Sequence, residues 1–299
     1  MASKSVPLRP APRLYLATPE VDDPSQLASQ LPKLLAAADI AAVLLRLKQT
    51  DQKTMIARVK ALVPAIQNAG AALLLDGHVE LVARAGADGA HLNGLAALED
   101  ALPSLKPDRI AGVGGLATRH DSMAAGEQGA DYVLFGEPDA KGQRPSMEAI
   151  AERLQWWDEL FEPPCIGFAA SREEAVEFAA AGADFVLVGD FVWADPRGVT
   201  NALAEVEQAV RQAHAEAIAE RLQWWDELFE PPCIGFAVSR EEAFEFAKAG
   251  ADFVLVGDFI WADPRGARAA LIEAGQAIAQ AHETACGKGK TGTDNAGHG

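Results

Sequence analysis

Residues 149–214 read AIAERLQWWDELFEPPCIGFAASREEAVEFAAAGADFVLVGDFVWADPRGVTNALAEVEQAVRQAH, and residues 217–282 repeat that string at a constant offset of 68 positions. The two 66-residue copies differ at twelve positions and match at 54, and most differences exchange one apolar residue for another, as Val192 for Ile260. A solenoid needs at least about three units with a period of roughly 20–50 residues. Here one long helix–strand–helix–strand–helix block occurs once in register and once in excess. The block therefore reads as a recent duplication.

Working outward from it, short β-branched runs alternate with segments of helical period. The expected strands are 13–17, 41–47, 71–75, 89–92, 110–113, 131–135, 165–168 and 184–188. Strands that each precede a helix, over about 216 residues, imply right-handed parallel crossovers. The expected fold is an α/β (β/α)8 TIM barrel with an appended duplicate of helix 6, strand 7, helix 7, strand 8 and helix 8. A Gly-Ala-Asp mark stands before several strands, at Gly86, Gly129, Gly182 and Gly250. Glycine can stop a helix in the left-handed conformation, and the aspartate starts the turn into the next strand.

Eight units end near Glu216, which gives a barrel over 1–216, an extra copy over 217–284 and a disordered tail over 285–299. No Gly or Pro falls between Val199 and Glu230, so the last helix of copy one is expected to run into the first helix of copy two. That merged helix would be about 48 Å long. PPCIGF and DFVLVGDF are identical in both copies, so the inner strands cannot choose which copy closes the barrel. Loop closure favours copy one by about 2 kcal/mol. Copy two is then expected to lie loosely or to exchange into a neighbouring chain as a swapped homodimer. Gly289-Lys290-Thr291 hints at a phosphate loop, but Thr284 stands where that pattern needs a glycine.

The chain has 299 residues, 49% of them apolar, and a formal charge of −17. Residues 149–216 hold 13 acids and 4 bases, residues 217–284 hold 12 and 5, and the remainder is near −1. Acidity belongs to the repeated helices and argues against nucleic acid as a partner. Of three cysteines, Cys165 and Cys233 are one strand position in two copies, so neither a disulfide framework nor a zinc spacing is present. No apolar run approaches the ~18 residues of a membrane span, and a cytoplasmic protein is expected.

In such a barrel the working groups sit where strands end at the C-terminal face. The polar residues there are Arg46 and Lys48, Asp76 and His78, His91 and Asn93, Glu137 with Asp139 and Lys141, and Asp190. Two cations among several carboxylates could hold a small phosphorylated ligand or neutralise one another. His91 reads as a packed barrel residue, and Trp156 and Trp157 as helix packing with one ring exposed.

The stretch LLLDGHVELVARAGADGAHL at 73–92, AGVGG at 111–115 and GADYVLFG at 129–136 resemble the thiamine phosphate synthase superfamily, which includes the thiazole tautomerases. The resemblance runs over about residues 12–195. It implies ligands of thiamine biosynthesis, a thiazole phosphate or a pyrimidine phosphate, with Arg46, Lys48, Asp76, His78, Asn93, Gly114, Lys141 and Asp190 around them. It also implies Mg2+ on a leaving diphosphate. The family's two metal carboxylates fall on Gly77 and Ala96, which leaves Asp76 as the nearby hard ligand. Its Gly-Gly-Ile phosphate turn falls on Phe168-Ala169-Ala170, and its strand-eight serine on Asp190. In the tautomerase branch a proton-shuttling histidine follows the sixth strand, and Glu137 stands at that place, where it could work as a general acid–base if burial raises its pKa or could simply pair with Lys48 or Lys141. The readings are a synthase with degraded metal and phosphate sites, a tautomerase-like proton shuttle through Glu137, or a non-catalytic binding or regulatory barrel.

Overall fold

The computed structural model describes residues 10–139, 141–228 and 233–288. The chain divides into two compact units, one over 11–214 and the other among the described residues from 215 onward. The first holds β1 (Arg13–Ala17), α1 (Ser25–Leu35), β2 (Ile40–Leu45), α2 (Gln52–Gln67), β3 (Ala72–Asp76), α3 (Val79–Ala85), β4 (Gly89–Asn93) and α4 (Leu95–Leu105). It continues through β5 (Ile110–Gly114), α5 (Arg119–Gln128), β6 (Tyr132–Phe135), α6 (Met147–Leu160), β7 (Cys165–Ala169), α7 (Arg172–Ala180), β8 (Phe185–Val188) and the short α8 (Asp190–Trp193). The strands β1 to β8 form a closed parallel barrel in chain order, shut by β8 pairing with β1. The strands that complete it, β7 and β8, lie in the first copy.

The Gly-Ala-Asp mark shows how the lower rim is built. Gly86, Gly129 and Gly182 take φ of 81°, 97° and 94°, where a Cβ would be strained. Each following aspartate accepts the amide of a neighbouring strand: Asp88 from Leu73 at 2.7 Å, Asp131 from Ala111 at 2.7 Å, Asp184 from Cys165 at 2.8 Å. These carboxylates take backbone N–H groups at the lower rim, where a buried donor needs a partner.

Two layers of apolar side chains lie on either side of the sheet. Between sheet and helices pack residues such as Leu31, Val43, Leu62, Leu81, Phe178 and Val186. Inside the barrel lie Tyr15, Ala17, Leu44, Leu74, Tyr132, Leu134, Ile166 and Leu187. Strand alternation separates the two sets, and the tyrosines are the polar members of the inner one.

α9 (Val199–Leu228) runs as one helix of 30 residues, so the merger expected from the absence of Gly and Pro is realised. Beyond it come β9 (Ile234–Ala237), α10 (Arg240–Lys248), β10 (Phe253–Val256), α11 (Phe259–Ala262) and α12 (Ala267–Lys288). The two strands form a parallel pair with Ile234 opposite Phe253 and Phe236 opposite Leu255. In the barrel the same register joins Ile166 to Phe185 and Phe168 to Leu187. The environments differ: Ile166 and Leu187 are 2% and 0% exposed, while Ile234 and Leu255 are 56% and 57% exposed. Trp193 donates its Nε1–H to the Ala17 carbonyl at 2.7 Å, while its counterpart Trp261 is 76% exposed. α12 continues to Lys288, past the expected tail boundary at 285. Gly289-Lys290-Thr291 lies outside the described residues.

Candidate functional site

β2 and β3 end side by side at the upper rim and bring Arg46 to Asp76, with Nε 3.6 Å from Oδ2. The same guanidinium places Nη1 3.6 Å from Asp190 Oδ1, at the start of α8. Arg46, Asp76 and Asp190 are thus one group. Lys48 belongs to another: its Nζ donates to Asp22 at 2.7 Å, and Arg58 takes the other Asp22 oxygen at 2.5 Å. Those cations hold the Asp22 carboxyl below the usual range, with the Lys48 hydrogen bond the largest cause. His78 caps α3 in the left-handed region at φ 47° and lies 3.6 Å from Glu80. Asn93, at the end of β4, faces Gly115, where an added Cβ would stand 2.5 Å from its Oδ1. Asp139 accepts the amides of Lys141 and Gln143, which closes the loop after β6.

Glu137 has a partner that the sequence reading did not give it. Its Oε1 lies 3.1 Å from His91 Nε2, and neither Lys48 nor Lys141 takes that place. His91 Nδ1 lies 3.0 Å from the Tyr132 hydroxyl, which lies 3.2 Å from that of Tyr15. His91 is 2% exposed, so it is packed as expected, and it is also the centre of a polar chain. Glu137 Oε2 is buried and has no hydrogen-bond partner among the described residues.

Two glycines make room for this. A Cβ at Gly112 would stand 1.8 Å from Tyr132 Cζ, and one at Gly114 would stand 1.8 Å from Glu137 Oε2 and 3.0 Å from His91 Nε2. Residues two apart on a strand share a face, so AGVGG presents two slots inward. Gly114→Ala is therefore expected to destabilise the barrel by about 1–3 kcal/mol, as overpacking does. Chemical denaturation measures this, and an unchanged midpoint would show that Glu137 does not occupy the slot.

Glu137 also lines a cavity of about 440 Å3 with Asn93, Gly115, Asp139, Arg144 and Arg153. Arg144 donates to the Gly136 and Phe168 carbonyls at 2.9 and 2.7 Å and to Glu174 at 2.8 Å. Glu174 in turn accepts the Ala170 amide at 2.8 Å. The turn after β7 thus gives that N–H to a carboxylate of its own chain, and Arg144 neutralises it. Arg153 donates to the Leu116 and Ala117 carbonyls at 3.1 and 2.8 Å, which ties α6 to the loop after β5.

Asp76 was the expected metal ligand, and its surroundings do not fit that role. Gly77 follows it, Arg46 faces it, and no group of three or more His, Cys, Asp or Glu that could hold a metal occurs among the described residues. One carboxylate shared with a guanidinium is a poor seat for Mg2+, which needs oxygen donors in octahedral array. No helix among the described residues is long and apolar enough to cross a membrane.

A family model described as thiamine monophosphate synthase matches residues 14–192. The thiamine-phosphate synthase of Rhodospirillum centenum is 38% identical over 202 residues, covering 67% of this chain and 98% of that protein. That of Hyphomonas neptunium is 37% identical over 195 residues, covering 62% and 87%. Among solved structures, thiamine phosphate pyrophosphorylase from Pyrococcus furiosus superposes with a TM-score of 0.55 at 20% identity, covering 67% of this chain and 96% of that one.

Proposed function

The chain belongs to the thiamine monophosphate synthase family, and from that membership we propose that it handles a phosphorylated thiazole by proton transfer at Glu137 rather than by joining it to a pyrimidine diphosphate. The observation that carries this reading is the buried, unpartnered Oε2 of Glu137 beside Gly114, in the wall of the cavity. Buried polar atoms normally find a partner. A carboxylate oxygen held without one is poised to take a proton from a bound ligand and return it. Taking a proton from one ring-adjacent atom and giving it to another is an isomerisation that needs no oxidant and no leaving group.

The synthase reaction asks more. It needs a metal for the departing diphosphate and backbone donors for the thiazole phosphate, and here Asp76 faces Arg46 while Glu174 takes the Ala170 amide. Steady-state assay with both substrates and excess magnesium is expected to give no diphosphate release. Turnover near ~1 s⁻¹, the low end of ordinary enzymes, would sink the reading.

The reading extends to the second copy. β9 and β10 keep the residues and register of β7 and β8 and turn outward the side chains that are inward in the barrel. We propose that this pair can replace β7 and β8 in another copy of the chain, giving a swapped homodimer. The exchanged strands share the sequences PPCIGF and DFVLVGDF, so concentration sets how much of the dimer forms.

A further inference from the structure

We infer that Tyr15, Tyr132 and His91 form a hydrogen-bonded chain through the barrel interior whose task is to fix one oxygen of Glu137 and leave the other as the basic atom, with His91 the positioning residue. The inference rests on the proton-transfer reading of Glu137 and names the groups that govern it. An ionised carboxylate only accepts, so the ring N–H must be at Nε2 to bond Oε1 at 3.1 Å. In a neutral ring Nδ1 is then an acceptor, and the Tyr132 hydroxyl donates to it at 3.0 Å. The Tyr132 oxygen in turn accepts from Tyr15 at 3.2 Å. Each donor has one acceptor, and one polarity satisfies the whole chain.

The surroundings favour a dedicated device over incidental packing. The neighbours inside the barrel are Ala17, Leu44, Leu74, Leu134, Ile166 and Leu187, and phenylalanine would fill this space without the cost of burying hydroxyls. Burial pushes both phenols upward, so they stay protonated and can only serve as neutral donors and acceptors. His91 and Tyr132 lie with their rings parallel, 6° apart, at 5.8 Å. Gly112 and Gly114 hold open the space that this geometry needs. The hydrogen bond from His91 goes to Glu137, which lines the cavity, so His91 acts through Glu137.

The test is the tautomer of His91, read in the full-length protein by nitrogen-15 correlation spectra of the imidazoles and assigned by loss of its signals in His91→Gln. The expected pattern is a single neutral tautomer protonated at Nε2. Tyr132→Phe, which keeps the ring and removes the donor, is expected to keep the Nε2 tautomer, still held by Glu137, and to move the Nδ1 resonance toward that of an imidazole nitrogen without a hydrogen bond. Tyr15→Phe, which leaves the donor in place, should shift the pattern less and stands in if Tyr132→Phe fails to fold. Protonation at Nδ1 in the unsubstituted protein overturns the inference, and so does a pattern unmoved by both variants. Failure of the proton-transfer reading is separate: it appears as no ligand proton exchange while the tautomer pattern is as expected.

Discussion

A chain ended after Glu216 is expected to fold cooperatively as a barrel, and Val186→Asp in that short chain is expected to unfold it. Val186 is fully buried in β8, between the sheet and the helices. An uncompensated buried charge costs roughly 3–5 kcal/mol, against a total stability of about 5–15 kcal/mol for a domain. In the full-length protein the same substitution meets a spare: β10 carries Val254 at the equivalent position and pairs with β9 in the barrel register. Full-length Val186→Asp should therefore stay folded through exchange, and sedimentation should show it shifted toward dimer. Val254→Asp, in a strand that the barrel does not use, should leave the unfolding midpoint of the barrel in place. An unfolded short chain would mean that residues 217–284 are needed for closure. Equal unfolding of the short and full-length Val186→Asp proteins would remove the swapped dimer.

The barrel was legible because its signals are local. Short apolar runs mark the strands, Gly-Ala-Asp stops the helices before β4, β6 and β8, and the structure moves the expected strand ends by a residue or two, as at β2, which stops at Leu45 because Arg46 already turns toward Thr18. The long α9 was legible for the same reason, as a stretch without helix breakers. The site was legible only residue by residue. Arg46, Asp76, Asn93, Glu137 and Asp190 stand at strand ends as expected, but which of them meet depends on the closed sheet. Glu137 finds His91 from a strand 46 positions earlier, and His91 finds Tyr132 41 positions later. Periodicity carries no information at that range. Arg144 and Glu174, in the loop before α6 and the first turn of α7, were missed because a charge in a loop reads as solvated surface. The two glycines of AGVGG were the available signal: paired gaps on one inward face announce that neighbouring side chains fill them.

Glu137→Gln tests the account most directly. The amide keeps the shape of the carboxylate and can still accept from His91 through its oxygen, but it has no atom that takes a proton. General acid–base groups contribute about 10²–10⁴-fold in rate, so the substitution should lower exchange of the ligand's ring-adjacent proton by that factor. Ligand affinity should change little, because no charge of Glu137 is assigned to binding. The measurement is the rate at which solvent deuterium enters a thiazole phosphate in the presence of the unsubstituted protein and of Glu137→Gln, with the dissociation constants of both measured by calorimetry. The account predicts rapid incorporation that Glu137→Gln abolishes at nearly unchanged affinity. Equal incorporation by the two proteins, or none by the unsubstituted protein while it binds the thiazole phosphate, would contradict it.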